Sequence, residues 1–80
     1  MPELKIQYFA KLREERGCSE ETFVTQASTP AILFDELKTA HGFSLGKNVF
    51  KVAVNDEFAA WDHTLQDGDT VVFIQPVAGG

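Results

Sequence analysis

The chain opens with alternating apolar and polar positions. Leu4, Ile6 and Tyr8 are each separated by one polar residue, and a spacing of two is typical of a strand with one buried face. The charged residues 10–16 have Leu12 as their main apolar anchor and predict one or two helical turns that end at Gly17. Residues 21–25 then predict a second strand, joined to the first as a hairpin with a long connection.

One longer segment has helical periodicity. Thr29 can cap a helix through its hydroxyl, and Pro30 suits the first helical position because its missing N–H is not needed there. The apolar positions that follow share one helical face and are Leu33, Phe34, Leu37 and Ala40. Gly42 is a suitable terminator, and we expect His41 beside it to be a surface residue at the negative end of the helix dipole.

The second half of the chain predicts short strands separated by turns. Residues 50–54, 58–60 and 71–74 are rich in β-branched and aromatic side chains, whereas 55–57 and 67–69 have turn chemistry. Residues 61–65 predict an irregular or 3₁₀ segment whose apolar members cap the core. Pro76 has no N–H to donate, so strand pairing should stop near it.

This order of elements predicts an α+β fold. A mixed sheet of four to five strands would have one main helix packed on one face. The first and last strands have the strongest apolar signals, so we expect them to be parallel neighbours in the middle of the sheet. Such a sheet is a β-grasp, or ubiquitin-like, sheet, and we expect residues 1–80 to form a single domain with a flexible tail at 76–80.

Charge and cysteine content narrow the classes of function. The formal net charge of −5 opposes nucleic-acid binding and suggests a basic protein partner. With one cysteine, Cys18, the chain has neither a disulfide framework nor a multi-cysteine metal site. His63 stands in a polar context without ligand-spaced neighbours, so we expect no metal site. No signal peptide or membrane-spanning run is apparent, and we therefore expect a cytoplasmic protein without a membrane partner.

The last four residues are small and include two glycines. Gly79 and Gly80 would let an extended backbone enter a channel that residues with a Cβ would obstruct. The group delivered there is the α-carboxylate that we expect Gly80 to carry. A carboxylate is a poor acylating agent until it becomes a mixed anhydride with AMP, which a sulfur nucleophile can then displace. Two terminal glycines by accident have odds of only about 0.5% at average usage.

Four segments carry a resemblance to a known family. The runs 8–14 (YFAKLRE), 52–55 (VAVN) and 65–71 (LQDGDTV), with the ending 76–80 (PVAGG), resemble the small subunit of molybdopterin synthase over the whole chain. The ending is specific to ubiquitin-like sulfur carriers, although it does not choose between them. Gln75 departs from the family, which commonly has a second proline there.

The resemblance implies a sulfur carrier that binds no cofactor and has no catalytic side chains of its own. An ATP-dependent activating enzyme would adenylate Gly80, and a sulfur donor protein would convert the adenylate into a thiocarboxylate. Gly79 would give the tail access to the large subunit of a heterotetramer. There the sulfur would pass to a cyclic pyranopterin phosphate in molybdenum cofactor biosynthesis.

Three alternatives remain open at this point. A thiamine-pathway sulfur carrier uses the same tail chemistry, but such chains are typically shorter and lack the long connection over residues 10–19. A ubiquitin-like protein modifier would transfer the activated carboxyl to a lysine amine. A β-grasp binding module with an inert tail would not need Gly79 and Gly80 at all.

A docking surface is predicted on the sheet face that the helix leaves uncovered. Phe9 would point away from the helix, and the resemblance to ubiquitin assigns Val72 and Ile74 to the outer face, with Phe58 beside them. The tail residues predicted to contact the partner are Pro76, Val77 and Ala78. The alternative is that these apolar side chains are ordinary core residues, because most of the seven phenylalanines must be buried.

Overall fold

The order of helices and strands follows the sequence prediction. A computed structural model describes residues 3–76, so the predicted tail residues Val77, Ala78, Gly79 and Gly80 lie outside the described part. The elements are β1 (Glu3–Gln7), α1 (Ala10–Arg16), β2 (Glu20–Val24), α2 (Pro30–His41), a 3₁₀ turn (Lys47–Val49), β3 (Lys51–Val54), β4 (Glu57–Ala59) and β5 (Thr70–Ile74). Neither α-helix of this part of the chain is long and apolar enough to cross a bilayer.

All five strands form one mixed sheet in the order β2-β1-β5-β3-β4. The first and last strands, β1 and β5, are parallel neighbours within it, with Ile6 opposite Val71. The other pairs are antiparallel. The β-grasp prediction is therefore confirmed, including the central position of the two most apolar strands.

Helix α2 has the predicted ends and most of the predicted buried face. The Thr29 hydroxyl accepts a hydrogen bond from the Ile32 N–H at 3.3 Å, and Gly42 ends the helix with φ of +69°. The side chains of Leu33, Phe34 and Leu37 are fully buried. The prediction for Ala40 was wrong, because this residue is exposed on the flank of the last turn, beside an open groove that faces β2.

The core lies between α2 and one face of the sheet, and Phe34 is at its centre. Its ring contacts four other aromatic rings, with centroid separations of 5.1 to 6.4 Å, from Phe43, Phe50, Trp61 and Phe73. The Trp61 ring stacks on Phe73, which confirms that the irregular segment after β4 caps the core.

A carboxylate joins three elements at one end of the core. Glu21 of β2 accepts hydrogen bonds from Arg16 Nε and Nη2, at 3.0 and 2.9 Å, and from the Tyr8 hydroxyl. The Arg16 hydrogen bonds hold the pKa of Glu21 below its ordinary value, while burial and the Glu21 carboxylate raise the pKa of Tyr8. His41 Nε2 is buried 3.2 Å from this carboxylate, without hydrogen-bond geometry. The expectation of a surface position for His41 was therefore wrong, because the helix end packs against β2.

Candidate docking surface

The face of the sheet that the helices leave open is apolar on one half. Along β5, Val71 and Phe73 belong to the core, whereas Val72 and Ile74 alternate onto the opposite face. Val72 lies opposite Ala53 of β3, and Ala53 lies opposite Phe58 of β4. The register therefore places small and apolar side chains next to one another across three strands.

Two exposed aromatic rings flank this row. Phe9 is 54% exposed and Phe58 is 73% exposed, which is unusual for phenylalanine in a small domain. They line a shallow depression of about 260 Å³ together with Gln7, Ala53, Asp56, Val72 and Ile74. We call the five apolar members the sheet patch: Phe9, Ala53, Phe58, Val72 and Ile74.

The exit from β1 into α1 sets the position of Phe9. Tyr8 is buried, and the next residue, Phe9, is the N-cap that precedes α1. The Phe9 carbonyl accepts hydrogen bonds from Leu12 N and Arg13 N at 3.2 and 3.4 Å. Ala10 has a left-handed φ of +48°, a conformation that costs energy for a residue with a Cβ. This tight exit from β1 leaves the Phe9 ring on the open face instead of in the core.

A polar network fixes the hairpin that presents Phe58. Asn55 and Asp56 form a two-residue turn between β3 and β4 and have φ of +53° and +70°, as in a type I′ turn. The Asn55 amide donates to Asp69 Oδ1 and accepts from Thr70 N, both at 2.9 Å. Asp69 in turn accepts from Gln66 N at 2.8 Å. The hairpin is thus fastened to the start of β5.

The other half of the open face is polar. Across β1 and β2, Lys5 lies opposite Thr22 and Gln7 lies opposite Glu20, and the Gln7 amide donates to the Glu20 carboxylate at 3.4 Å. Val24, at the end of β2, is the exposed apolar exception at 55%. Apart from Val24, the apolar residues of the open face therefore lie on the half of the sheet that contains the end of β5.

The predicted docking residues have different environments. Phe9, Phe58 and Ile74 lie on the open face with accessible side chains, and Pro76 is exposed just after β5. Val72 also lies on this face and lines the depression, but it is only 7% exposed. The predicted tail contacts of Val77 and Ala78, like the roles of Gly79 and Gly80, lie outside the described residues.

Some members of the site were missed by sequence reasoning. Ala53 is small and sits in a strand that looks uniformly buried, so only the strand register shows that it separates Val72 from Phe58. Asp56 was assigned to a turn, and its place at the rim of the depression depends on the hairpin geometry. Knowledge of the β3–β4 pairing would have suggested both positions.

The position of the sheet patch relative to the chain end is set by β5. Ile74 is the last residue of that strand and lies opposite Lys51. Gly80 is the sixth residue after Ile74, and six residues span at most about 20 Å when fully extended. Gly80 therefore lies within about 20 Å of Ile74, at the edge of the sheet patch.

The described residues offer no clustered metal ligands. Between residues 3 and 76, no group of three or more His, Cys, Asp or Glu side chains is arranged to hold a metal ion. The Cys18 thiol is partly buried against the core, and no disulfide partner exists within the chain.

These features define a class of protein: a β-grasp domain with an apolar patch on its open face beside the C-terminal strand. The chain belongs to the ThiS family, whose model matches residues 6–80. A relative from Escherichia coli (strain K12), the molybdopterin synthase sulfur carrier subunit, is 30% identical over 80 residues, which cover 96% of this chain and 99% of the relative.

Solved structures share the fold. The solution structure of the Haloferax volcanii HVO 2177 protein has a TM-score of 0.83 at 25% identity, with 99% of this chain and 87% of that chain covered. A protein–protein complex of subunits 1 and 2 of molybdopterin-converting factor from Helicobacter pylori 26695 contains a chain with a TM-score of 0.65 at 25% identity. That match covers 98% of this chain and 99% of the other.

Proposed function

We propose that this protein is the sulfur carrier subunit of a molybdopterin synthase and that its sheet patch docks on the large subunit. The observation that carries the proposal is the exposed pair Phe9 and Phe58 beside the end of β5. An apolar surface of this kind on a small domain usually marks an interface. Its place within reach of Gly80 supports a role in which docking and delivery of the chain end are one event.

The proposed chemistry takes place at the carboxyl group of Gly80. An activating enzyme joins this carboxylate to the AMP part of ATP, releasing pyrophosphate. A sulfur donor at the oxidation level of sulfide then attacks the acyl carbon, so that a C–S bond forms, the C–O bond to AMP breaks and AMP leaves. The product is a thiocarboxylate, and Gly79 keeps the approach to it free of side chains.

The second half of the reaction belongs to the large subunit. The terminal sulfur attacks a carbon of the cyclic pyranopterin phosphate, so that a C–S bond forms while the C–O bond at that carbon breaks and its oxygen substituent leaves. Water then cleaves the resulting thioester between the sulfur and the acyl carbon of Gly80. Sulfur remains on the pterin, and Gly80 returns to a carboxylate. This chain contributes the docking surface and the reacting carboxyl carbon, whereas the acid–base groups of the transfer are supplied by its partner.

Intact-mass spectrometry tests the carrier role. The protein is incubated with ATP, the activating enzyme from the same organism and sodium sulfide. We expect the intact mass to rise by the difference between sulfur and oxygen, with the change located at Gly80 by fragmentation. A variant that lacks Gly79 and Gly80 is the matched control and should show no change.

The outcomes separate the carrier from its alternatives. An unchanged mass for the full chain under these conditions would contradict the carrier role. A mass change that is followed by attachment to lysine amines, instead of sulfur transfer to a pterin precursor, would identify a protein modifier. Sulfur delivery to a thiamine precursor would identify the thiamine-pathway carrier.

A further inference from the structure

Asp56 combines an unfavourable backbone conformation with a position at the rim of the sheet patch. Its φ of +70° belongs to the left-handed region, where glycine has no steric cost and other residues do. Aspartate tolerates this region better than most residues, yet glycine is preferred at the second position of a type I′ turn. The fold alone therefore favours glycine at this position.

The carboxylate of Asp56 is not used by the ion pairs of the fold. The salt bridges within residues 3–76 employ the carboxylates of Glu15, Glu21 and Asp35. Asp56 is exposed and lines the depression between Phe9 and Phe58. Residues in sparsely populated backbone regions tend to cluster at functional sites, where another demand outweighs the local cost.

The charges around the sheet patch are arranged with opposite signs at its two ends. Asp56 lies in the hairpin turn after β3, whereas Lys51 begins β3 beside Ile74, next to the departing chain end. Three residues of an extended strand and the apolar side chains of Ala53 and Val72 separate them. A partner that covers the patch meets an anion at one end and a cation at the other.

We propose that Asp56 is a specificity-determining anion of the docking surface, which pairs with a lysine or arginine side chain of the large subunit. The inference rests on the proposed function. Burying the sheet patch brings the partner surface against the rim where this carboxylate stands, and the net charge of −5 adds to the attraction for a basic partner. A charge at the rim of an interface acts mainly on the association rate and its salt dependence.

The neighbouring residue offers a matched control. Glu57 is exposed and carries the same charge, but it lies opposite Val54, which belongs to the core side of the sheet, whereas Phe58 lies on the patch side. Asp56→Asn and Glu57→Gln each remove one negative charge. Any effect of net charge is therefore common to both variants, and the difference between them reports the position of the charge.

The experiment measures association rate constants by stopped flow between each variant and the large molybdopterin synthase subunit from the same organism. At low ionic strength, Asp56→Asn should associate at least threefold more slowly than Glu57→Gln, to order of magnitude. The two association rate constants should converge at about 0.5 M salt, where the charge is screened. Asp56→Gly should show the same slow association without any fall in Tm, because glycine suits φ of +70°.

Each outcome has a separate meaning. If wild type binds the large subunit and the two charge variants associate equally fast, this inference is overturned while the proposed function stands. If Glu57→Gln is the slower variant, the anion that matters lies on the other face of β4. If wild type does not bind the large subunit, both proposals fail. A fall in Tm for Asp56→Gly would show that the carboxylate serves the fold.

Discussion

The two faces of the same five-stranded sheet use similar side chains for different purposes. Val71 and Phe73 of β5 are fully buried under α2, whereas Val72 and Ile74, one position along, have no helix above them. The strand is apolar on both faces, but only one face is needed for the core. On the open face, Ile74 and the exposed rings of Phe9 and Phe58 remain accessible to a partner.

The open face is itself divided. Its β1–β2 half pairs Lys5 with Thr22 and Gln7 with Glu20, which is ordinary polar surface. Its β5–β3–β4 half contains the sheet patch. Both halves of this face are open to water, yet only one of them is apolar. Exposure to water therefore does not by itself account for the apolar half.

The largest effect on stability is expected at the centre of the covered face. Phe34→Ala should lower the free energy of unfolding by about 3–5 kcal/mol, because it removes a fully buried ring that contacts four others. Urea unfolding followed by circular dichroism measures it. A loss below about 1 kcal/mol would show that the core is not organised around this ring.

The open face should respond in the opposite way. Phe58→Ala should change the free energy of unfolding by less than about 1 kcal/mol, because the ring is 73% exposed. The same substitution should weaken binding to the large subunit by about 2 kcal/mol. Phe9→Ala should behave similarly, and titration calorimetry with thermal melts measures both properties. Val24→Ala, on the polar half, is the control. Equal binding losses for Val24 and Phe58 would contradict the division of this face.

A smaller effect, dependent on pH, is expected at the junction of β2 with the helices. Glu21→Gln should lower the free energy of unfolding by about 1–2 kcal/mol at neutral pH, because it weakens charge-assisted hydrogen bonds from Arg16. The folded-state pKa of Glu21 lies below its ordinary 4.5, so this contribution is complete above pH 4.5.

That contribution should disappear as the pH falls through the lowered pKa. The difference in unfolding free energy between wild type and Glu21→Gln should therefore narrow below pH 4.5. Urea unfolding across a pH series measures it, and Glu14→Gln, which alters an exposed carboxylate in α1, is the control. A difference that stays constant down to pH 2 would contradict the role of the Glu21 charge.

The smallest effect on stability is expected at the chain end. Deletion of Gly79 and Gly80 should change the free energy of unfolding by well under about 1 kcal/mol, because these residues have no apolar side chain to bury. The same deletion should abolish sulfur transfer. A large fall in Tm would show that the last residues are part of the fold.

The fold was predictable because its signals are local or follow from general rules. The Thr29-Pro30 start and Gly42 end of α2 are visible in sequence, and the parallel pairing of β1 with β5 follows from a helix between two apolar strands. The contact of the half-buried His41 with Glu21 was not predictable, because it depends on where the end of α2 meets β2.

The docking surface was predictable only in part. Alternation along β5 identified Val72 and Ile74 as a pair, but it could not show that Val72 is only 7% exposed, because burial depends on the packing of the neighbouring strands. Likewise, the placement of Phe58 depends on hydrogen bonds from Asn55 to residues about fifteen positions away. Such contacts between distant residues have no signature in a single sequence.

The most direct test of the difference between the two faces is an NMR titration of the labelled protein with the unlabelled large subunit. We expect the amide resonances of β3, β4 and β5, and those near Phe9, to change on binding. The exposed side of α2, around Ile32 and Thr39, should stay unchanged. Changes confined to α2 and β2, with the sheet patch unaffected, would contradict the account.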